Sequence, residues 1–203
     1  VARAAAALGL EHVVLTSVNR DDLADGGAVH FVRTIEAVRA RLPNSTIEVL
    51  TPDFEGDLCA VKAVADTSVN VFNHNIETVP RLYSRVRPRA RYKRSLEVLR
   101  YVAENYPEKI VKSGLMVGLG ESLGEVYDLM RDLYESGCDI VTIGQYLRPS
   151  IKHVPVNSYL KPEAYERLIQ LGEGLGIKHV FAGPFVRSSY NAREAFLAAG
   201  GQA

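Results

Sequence analysis

Six apolar runs of strand length alternate with segments of helical period, and this alternation constrains the fold more than any other feature. The runs are EHVVLTS (11–17), TIEVLTP (46–52), SVNVFN (68–73), KIVKSGLMVG (109–118), DIVTIGQYL (139–147) and KHVFAGPFV (178–186). Several are rich in Val and Ile, as strands buried on both faces are. Between them AVHFVRTIEAVRARL (28–42), RSLEVLRYVAENY (94–106), GEVYDLMRDLYESG (124–137) and PEAYERLIQLGEGLG (162–176) repeat apolar residues at three and four. In the second, Leu96, Leu99, Val102 and Ala103 share a face, while Glu97, Arg100 and Glu104 point away. Parallel strands need long crossovers that helices fill, so the pattern predicts an α/β fold with a helix-covered parallel sheet. Six strands are too few for an eight-stranded barrel. The chain opens on an alanine-rich helix leading into a strand, which predicts a partial barrel whose first strand and loop lie upstream of Val1.

Length and composition fit one domain over 1–203: the chain has 203 residues, 47% of them hydrophobic, and no Pro/Gly/Ser-rich linker. Its 24 basic and 24 acidic residues cancel, so neither nucleic acid nor a membrane is expected as a partner from overall charge. No apolar run is long enough to span a membrane and no signal peptide opens the chain, so a cytoplasmic location is the expectation. The two cysteines, Cys59 and Cys138, form no CxxC or CxxxC pattern and read as buried apolar fillers.

In parallel α/β folds the ligand site gathers at the carboxyl ends of the strands. After the first run, TSVNRDDLADGGA places Asp21, Asp22 and Asp25 just ahead of Gly26 and Gly27. Three carboxylates could hold a divalent cation, but a cap on the helix from Ala28 is the stronger reading. After the third, FNHNIETV offers Asn73, His74, Asn75 and Glu77 for amide and carboxylate contacts to a polar ligand, or simply a turn. RLYSRVRPRARYKR (81–94) holds seven basic residues and no acidic one. Such a cluster suits carboxylates and phosphates and would draw an acidic protein or nucleic acid. GLMVGLGES (114–122) brings glycine backbone toward a ligand, and GQYLRPS (144–150) adds Gln145, Tyr146 and Arg148. Near the end, GPFVRSSYNA (183–192) sets Arg187 beside Ser188 and Ser189, where the local reading is a helix cap. No Ser-His-Asp or Cys-His arrangement can be assembled from spacing.

Taken together, TSVNRDDLADGGA, IEVLTPDFEG, FNHNIETVPRLY, VRPRARYKRSLEVL, KSGLMVGLGE, TIGQYLRPS and GPFVRSSYNA resemble the lipoyl synthase family of radical S-adenosylmethionine enzymes, in family order from residue 12 to 192. The resemblance implies a partial (β/α)6 TIM-type barrel, here missing its first strand and cluster loop, with 178–203 as a C-terminal extension carrying RSSY. It implies sulfur insertion at C6 and C8 of an octanoyl group on a lysine of a lipoyl-carrier protein. It further implies two 4Fe–4S clusters, S-adenosylmethionine and an electron donor protein. One cluster generates a 5'-deoxyadenosyl radical and the other is consumed as the sulfur source.

Carried over by position, Thr16, Ser17, Asn73, Glu77, Arg94, Gly118, Gly120 and Glu121 would line the S-adenosylmethionine site. Ser189, with Ser188 as alternative, would be the oxygen ligand of the second cluster, and Arg187 would stand beside cluster or substrate. A serine oxygen binds iron more weakly than thiolate does, which suits a cluster that is dismantled. Both cysteine motifs of the family are expected upstream of Val1, and Asn19 stands where the family usually has aspartate. The 203-residue chain alone is therefore expected to be inactive. The alternative is a binding module that grips an acidic carrier or nucleic acid through 81–94.

Overall fold

In the computed structural model the described residues are 1–201. Gln202 and Ala203, the ends of the domain 1–203 and of the extension 178–203, lie outside the described residues. The six apolar runs become β1 (His12–Thr16), β2 (Thr46–Leu50), β3 (Val71–Asn73), β4 (Ile110–Val117), β5 (Ile140–Gln145) and β6 (His179–Gly183). They pair in chain order and every pair is parallel. The last run stops at Gly183 because the chain turns at Pro184, with Val186 N–H donating back to Gly183 O.

The connections carry α1 (Ala2–Ala7), α2 (Ala28–Arg41), α3 (Leu58–Ala65), α4 (Tyr83–Val86), α5 (Tyr92–Asn105), α6 (Leu123–Glu135), α7 (Pro162–Leu175) and α8 (Ala192–Ala198). Ile47, Val49, Phe72, Val111, Leu115, Val141 and Ile143 point to the helical layer. There they meet Ile35, Val38, Val64, Val98, Leu99, Leu129 and Leu133 in one core. In α5 the buried stripe is Ser95, Val98, Leu99 and Val102, with Leu96 and Ala103 on its shoulders. Cys138 is buried as expected, but Cys59 is exposed. It stands in the first turn of α3, off the face formed by Ala60, Val61, Val64 and Ala65.

The other face of the sheet is concave and holds two layers. Toward the mouth it is polar. Lys112 Nζ donates to both oxygens of Glu48 (2.9 and 3.2 Å), and Asn73 Nδ2 donates to Glu48 Oε1 at 3.2 Å. His12 Nε2 stands 3.6 Å from Glu48 Oε2. A buried ion pair survives only when well hydrogen-bonded, and this one is. Below it Val71, Ile110 and Ile140, with Phe181 at their edge, pack against Ala195 and Phe196 of α8.

β1 and β6 are the two ends of the sheet and do not pair. Helix α8 lies between them. Arg193 reaches Glu11 at 2.7 Å, Phe196 faces the His12 ring at 6.2 Å, and the His179 ring contacts Ala198 O at 2.7 Å. The N-cap of α8 is Asn191, in left-handed backbone, and neither serine caps it. The barrel is thus partial, with a short helix across its gap.

Candidate functional site

The segment after β3 shapes the mouth. Glu77 N–H donates to Gly114 O (2.9 Å) and Met116 N–H donates to Glu77 O (2.8 Å), so the chain stays alongside β4 for one more bridge. Glu77 adopts φ +67° there. Two side chains hold this course: Tyr83 Oη–H donates to Ile76 O at 2.6 Å, and Arg87 Nη1 donates to Asn75 O at 3.1 Å. His74 turns inward, its Nδ1 2.9 Å from Thr51 O and its Nε2 2.9 Å from Ser95 Oγ. With Nδ1–H donating to the carbonyl, Nε2 is left to accept from the serine. Burial pushes this imidazole down to about 4, with Arg87 and Arg94 adding repulsion, and it is neutral.

Asn75 and Glu77 line two adjoining clefts. The first, about 140 Å³, is walled by Thr16, Ser17, Asn19, Thr51 and Arg87. The second, about 90 Å³, is walled by Met116, Thr142, Gly144, Arg187 and Ser188. Asn75 Nδ2 donates to Glu77 Oε1 (3.2 Å) and Ser188 Oγ (3.3 Å), and this joins the β3 segment to a residue far along the chain. Its Oδ1 is buried without a partner. Gly114 forms the floor beside that oxygen: a Cβ there would stand 2.8 Å from Asn75 Oδ1 and 2.7 Å from Thr142 Oγ1. A Cβ at Gly144 would overlap the carbonyl oxygen of Val186. Burial pushes the Glu77 carboxyl up, opposed by Arg87 and by the Asn75 amide.

The remaining predicted residues shape the walls rather than line these clefts. Asn73 lies in the polar layer below, its Oδ1 also unpartnered. The Glu121 carboxylate accepts from the N–H groups of Gly118 and Leu119, which folds the GLGE turn on itself. Gly118 and Gly120 supply the positive φ that this turn needs. Arg81 clamps the turn from outside, through Gly120 O at 2.9 Å and both oxygens of Glu125. Arg94 is taken up by Asp53 at 2.6 Å and steadies a left-handed turn at Phe54 and Glu55. Ser189 is exposed.

The clefts therefore bring together Thr16, Ser17, Glu77, Arg187 and the alternative Ser188 from the predicted set, with Asn75 of FNHNIETV and Gly114 of the GLMVGLGES glycines. They add Arg87, Thr142 and Gly144, whose place at the clefts the sequence alone does not indicate.

The aspartate cluster after β1 serves the helix. Asp25 accepts from Gly27 N–H (3.0 Å) and Val29 N–H (2.8 Å), and Asp22 pairs with Arg20. Among the described residues no three His, Cys, Asp or Glu converge to hold a metal. Cys138 precedes β5, at the end of the sheet opposite the mouth, and burial pushes its thiol up. The cysteines present therefore do not fit an iron–sulfur cluster. The unpartnered Asn75 oxygen, the glycine floor and the hydroxyls of Thr16 and Ser17 do fit a small polar ligand.

Residues 1–133 match the Radical SAM superfamily. The chain is 56% identical over 194 residues to the lipoyl synthase of Rubrobacter xylanophilus, covering 96% of this chain and 60% of that protein. It is 56% identical over 192 residues to the lipoyl synthase of Caldanaerobacter subterraneus subsp. tengcongensis, covering 95% and 67%. Among solved structures, methylornithine synthase superposes with a TM-score of 0.63 at 16% identity, covering 86% of this chain and 57% of that one. A domain of pyruvate-formate lyase-activating enzyme from Bacteroides vulgatus gives 0.57 at 12%, covering 83% and 98%. These two share the fold. The chain spans 60% of the length of the first curated relative and 67% of the second.

Proposed function

The chain belongs to the lipoyl synthase family of the radical SAM superfamily, and from that membership we propose that it forms the substrate-binding barrel of an enzyme inserting two sulfur atoms at C6 and C8 of an octanoyl group held on a lysine of a lipoyl-carrier protein. The observation that carries the reading is the meeting of Asn75 and Glu77 with Arg187 and Ser188 across one cleft. Two motifs far apart in sequence build one polar wall there.

Thr16, Ser17, Asn75 and Glu77 are the residues proposed to hold S-adenosylmethionine. When bound, that cofactor supplies hydrogen-atom abstraction at unactivated C–H bonds. The free Asn75 Oδ1 accepts a hydrogen bond, and the Glu77 carboxyl faces hydroxyl or ammonium groups. Asn73, Arg94, Gly118, Gly120 and Glu121 are proposed to act from behind: they fix the backbone from which these groups project. Arg187 offers a cation at the cleft edge for the carried substrate.

The thiolates of the two 4Fe–4S clusters and the site of the electron donor protein are not assigned to these residues. Ser188 is engaged by Asn75 while Ser189 is exposed, which favours Ser189 as the hydroxyl proposed for iron. Among the described residues no helix is long and apolar enough to cross a membrane; the cytoplasm is the proposed compartment.

The test uses the complete reading frame that contains this chain, reconstituted with iron and sulfide without oxygen. Given S-adenosylmethionine, a one-electron chemical reductant such as dithionite and an octanoylated carrier domain, it should yield carrier in which two sulfur atoms replace two hydrogens, read by mass spectrometry. Cleavage of S-adenosylmethionine with no sulfur gained by the carrier would overturn the reading.

A further inference from the structure

The basic run 81–94 is divided by the fold into two groups. Arg81 is spent on Glu125 and Gly120 O, Arg87 on the carbonyl of Asn75, and Arg94 on Asp53. The other four, Arg85, Arg89, Arg91 and Lys93, are exposed and form no ion pair among the described residues. They occupy α4, the following loop and the first turn of α5. Ala90 N–H bonds to Arg87 O, and Arg94 Nη2 contacts Arg89 O, so the stretch is folded into one knuckle.

This placement works against the helix it opens. The first turn of α5 has no acidic residue and no side-chain cap, although a helix N-terminus favours negative charge. Unpaired cations at that end raise the energy of the isolated molecule; an anionic surface laid on the knuckle relieves the repulsion. Arg87, inside the same stretch, lines the cleft with Thr16, Ser17 and Glu77. The free cations thus stand at the rim of the mouth.

Protein rather than nucleic acid fits this rim. Single-stranded nucleic acid needs exposed aromatic faces on which bases stack. The tyrosines of the run are used up: Tyr83 is buried, it packs edge-on with Tyr92 at 5.4 Å, and Tyr92 Oη–H donates to Asp132 at 2.8 Å.

We infer that Arg85, Arg89, Arg91 and Lys93 form a docking rim for an acidic protein surface that delivers the modified lysine to the adjacent mouth. The inference rests on the reading of the site as one acting on a protein-carried octanoyl group. It adds the surface by which the carrier is held.

The complete enzyme carrying Arg85→Gln, Arg89→Gln, Arg91→Gln and Lys93→Gln is compared with a control of equal charge change, Arg3→Gln, Arg33→Gln, Lys161→Gln and Arg167→Gln. With an acidic octanoylated carrier domain at low salt, the rim variant should bind about tenfold more weakly or worse, and the control as the parent does. The parent's affinity should fall with added salt toward that of the rim variant. Turnover of an octanoyl-lysyl tripeptide reports whether fold and chemistry survive. Equal carrier binding by parent and rim variant, or preferential binding of a single-stranded oligonucleotide, overturns the rim while tripeptide turnover leaves the proposed reaction standing. No sulfur insertion into either substrate by the parent overturns the reaction and the rim together.

Discussion

Lys112 Nζ lies 2.9 Å from Glu48 Oε1 on the concave face of the sheet, and neither side chain reaches solvent. Removing one partner strands the other charge. Lys112→Met should therefore cost about 3–5 kcal/mol, and adding Glu48→Leu should recover most of that loss. Urea unfolding of the single and double variants checks this; equal stability of parent and Lys112→Met would show that the pair carries no such energy.

His74 gives the acid limb of stability a defined sign. Its imidazole is held at about 4, against 6.5 ordinarily, so on acidification the unfolded chain takes up a proton before the folded one does. Stability from this residue is complete above pH 6.5 and is lost as pH falls toward 4, by about 3 kcal/mol. Glu77, whose carboxyl is raised, contributes in the opposite sense above its ordinary value near 4.5. The His74 share is isolated by difference: His74→Gln should flatten the profile between pH 6.5 and 4 in chemical denaturation. An unchanged slope would mean that the ring is protonated in the fold.

Gly144 lets the turn after β6 lie against β5. Gly144→Ala should lift that turn, at about 1–3 kcal/mol. Hydrogen exchange at the amides of Val186 and Tyr190, both bonded within the turn, should quicken. A glycine of α7 with open space around it, Gly174, supplies the control: Gly174→Ala should stabilise by up to about 1 kcal/mol. Equal protection at Val186 in both variants would remove the close approach as a constraint.

The strand order and most helices were legible because doubly covered strands leave long apolar runs and crossover helices keep a polar face. Helix α3 was not singled out: LCAVKAVA is short and nearly all apolar, so its period is invisible. The fate of the arginines was also hidden, because their partners come from distant elements. Arg94 finds Asp53 on the β2–α3 connection, and Arg81 finds Glu125 on α6. A motif tells which residues gather at the mouth; only the fold tells that Ser188 turns inward, that Ser189 stays exposed, and that Asn75 is left with an unpartnered oxygen.

The two thiols should differ sharply in reactivity. Cys59 is exposed and Cys138 is buried, with its thiol raised by burial. Native labelling with a disulfide reagent should modify one thiol per chain quickly and the second only on unfolding. After anaerobic reconstitution the 203-residue chain should retain no stoichiometric iron. Iron near four atoms per chain, the content of a 4Fe–4S cluster, would mean that the cysteines assemble in a way this fold does not provide.

The helix lodged between β1 and β6 gives the barrel an unusual mechanics. In a closed barrel every increment of girth breaks ladder hydrogen bonds. Here the seam is a wedge of Phe196 and Ala195, one arginine–glutamate clasp and a single imidazole contact. Among the described residues no ladder joins β1 to β6, and contacts of α8 link these two strands instead. The aperture over the polar layer is then set by how firmly that wedge is seated, and a shallower residue in place of Phe196 would loosen the mouth from the side opposite the chemistry.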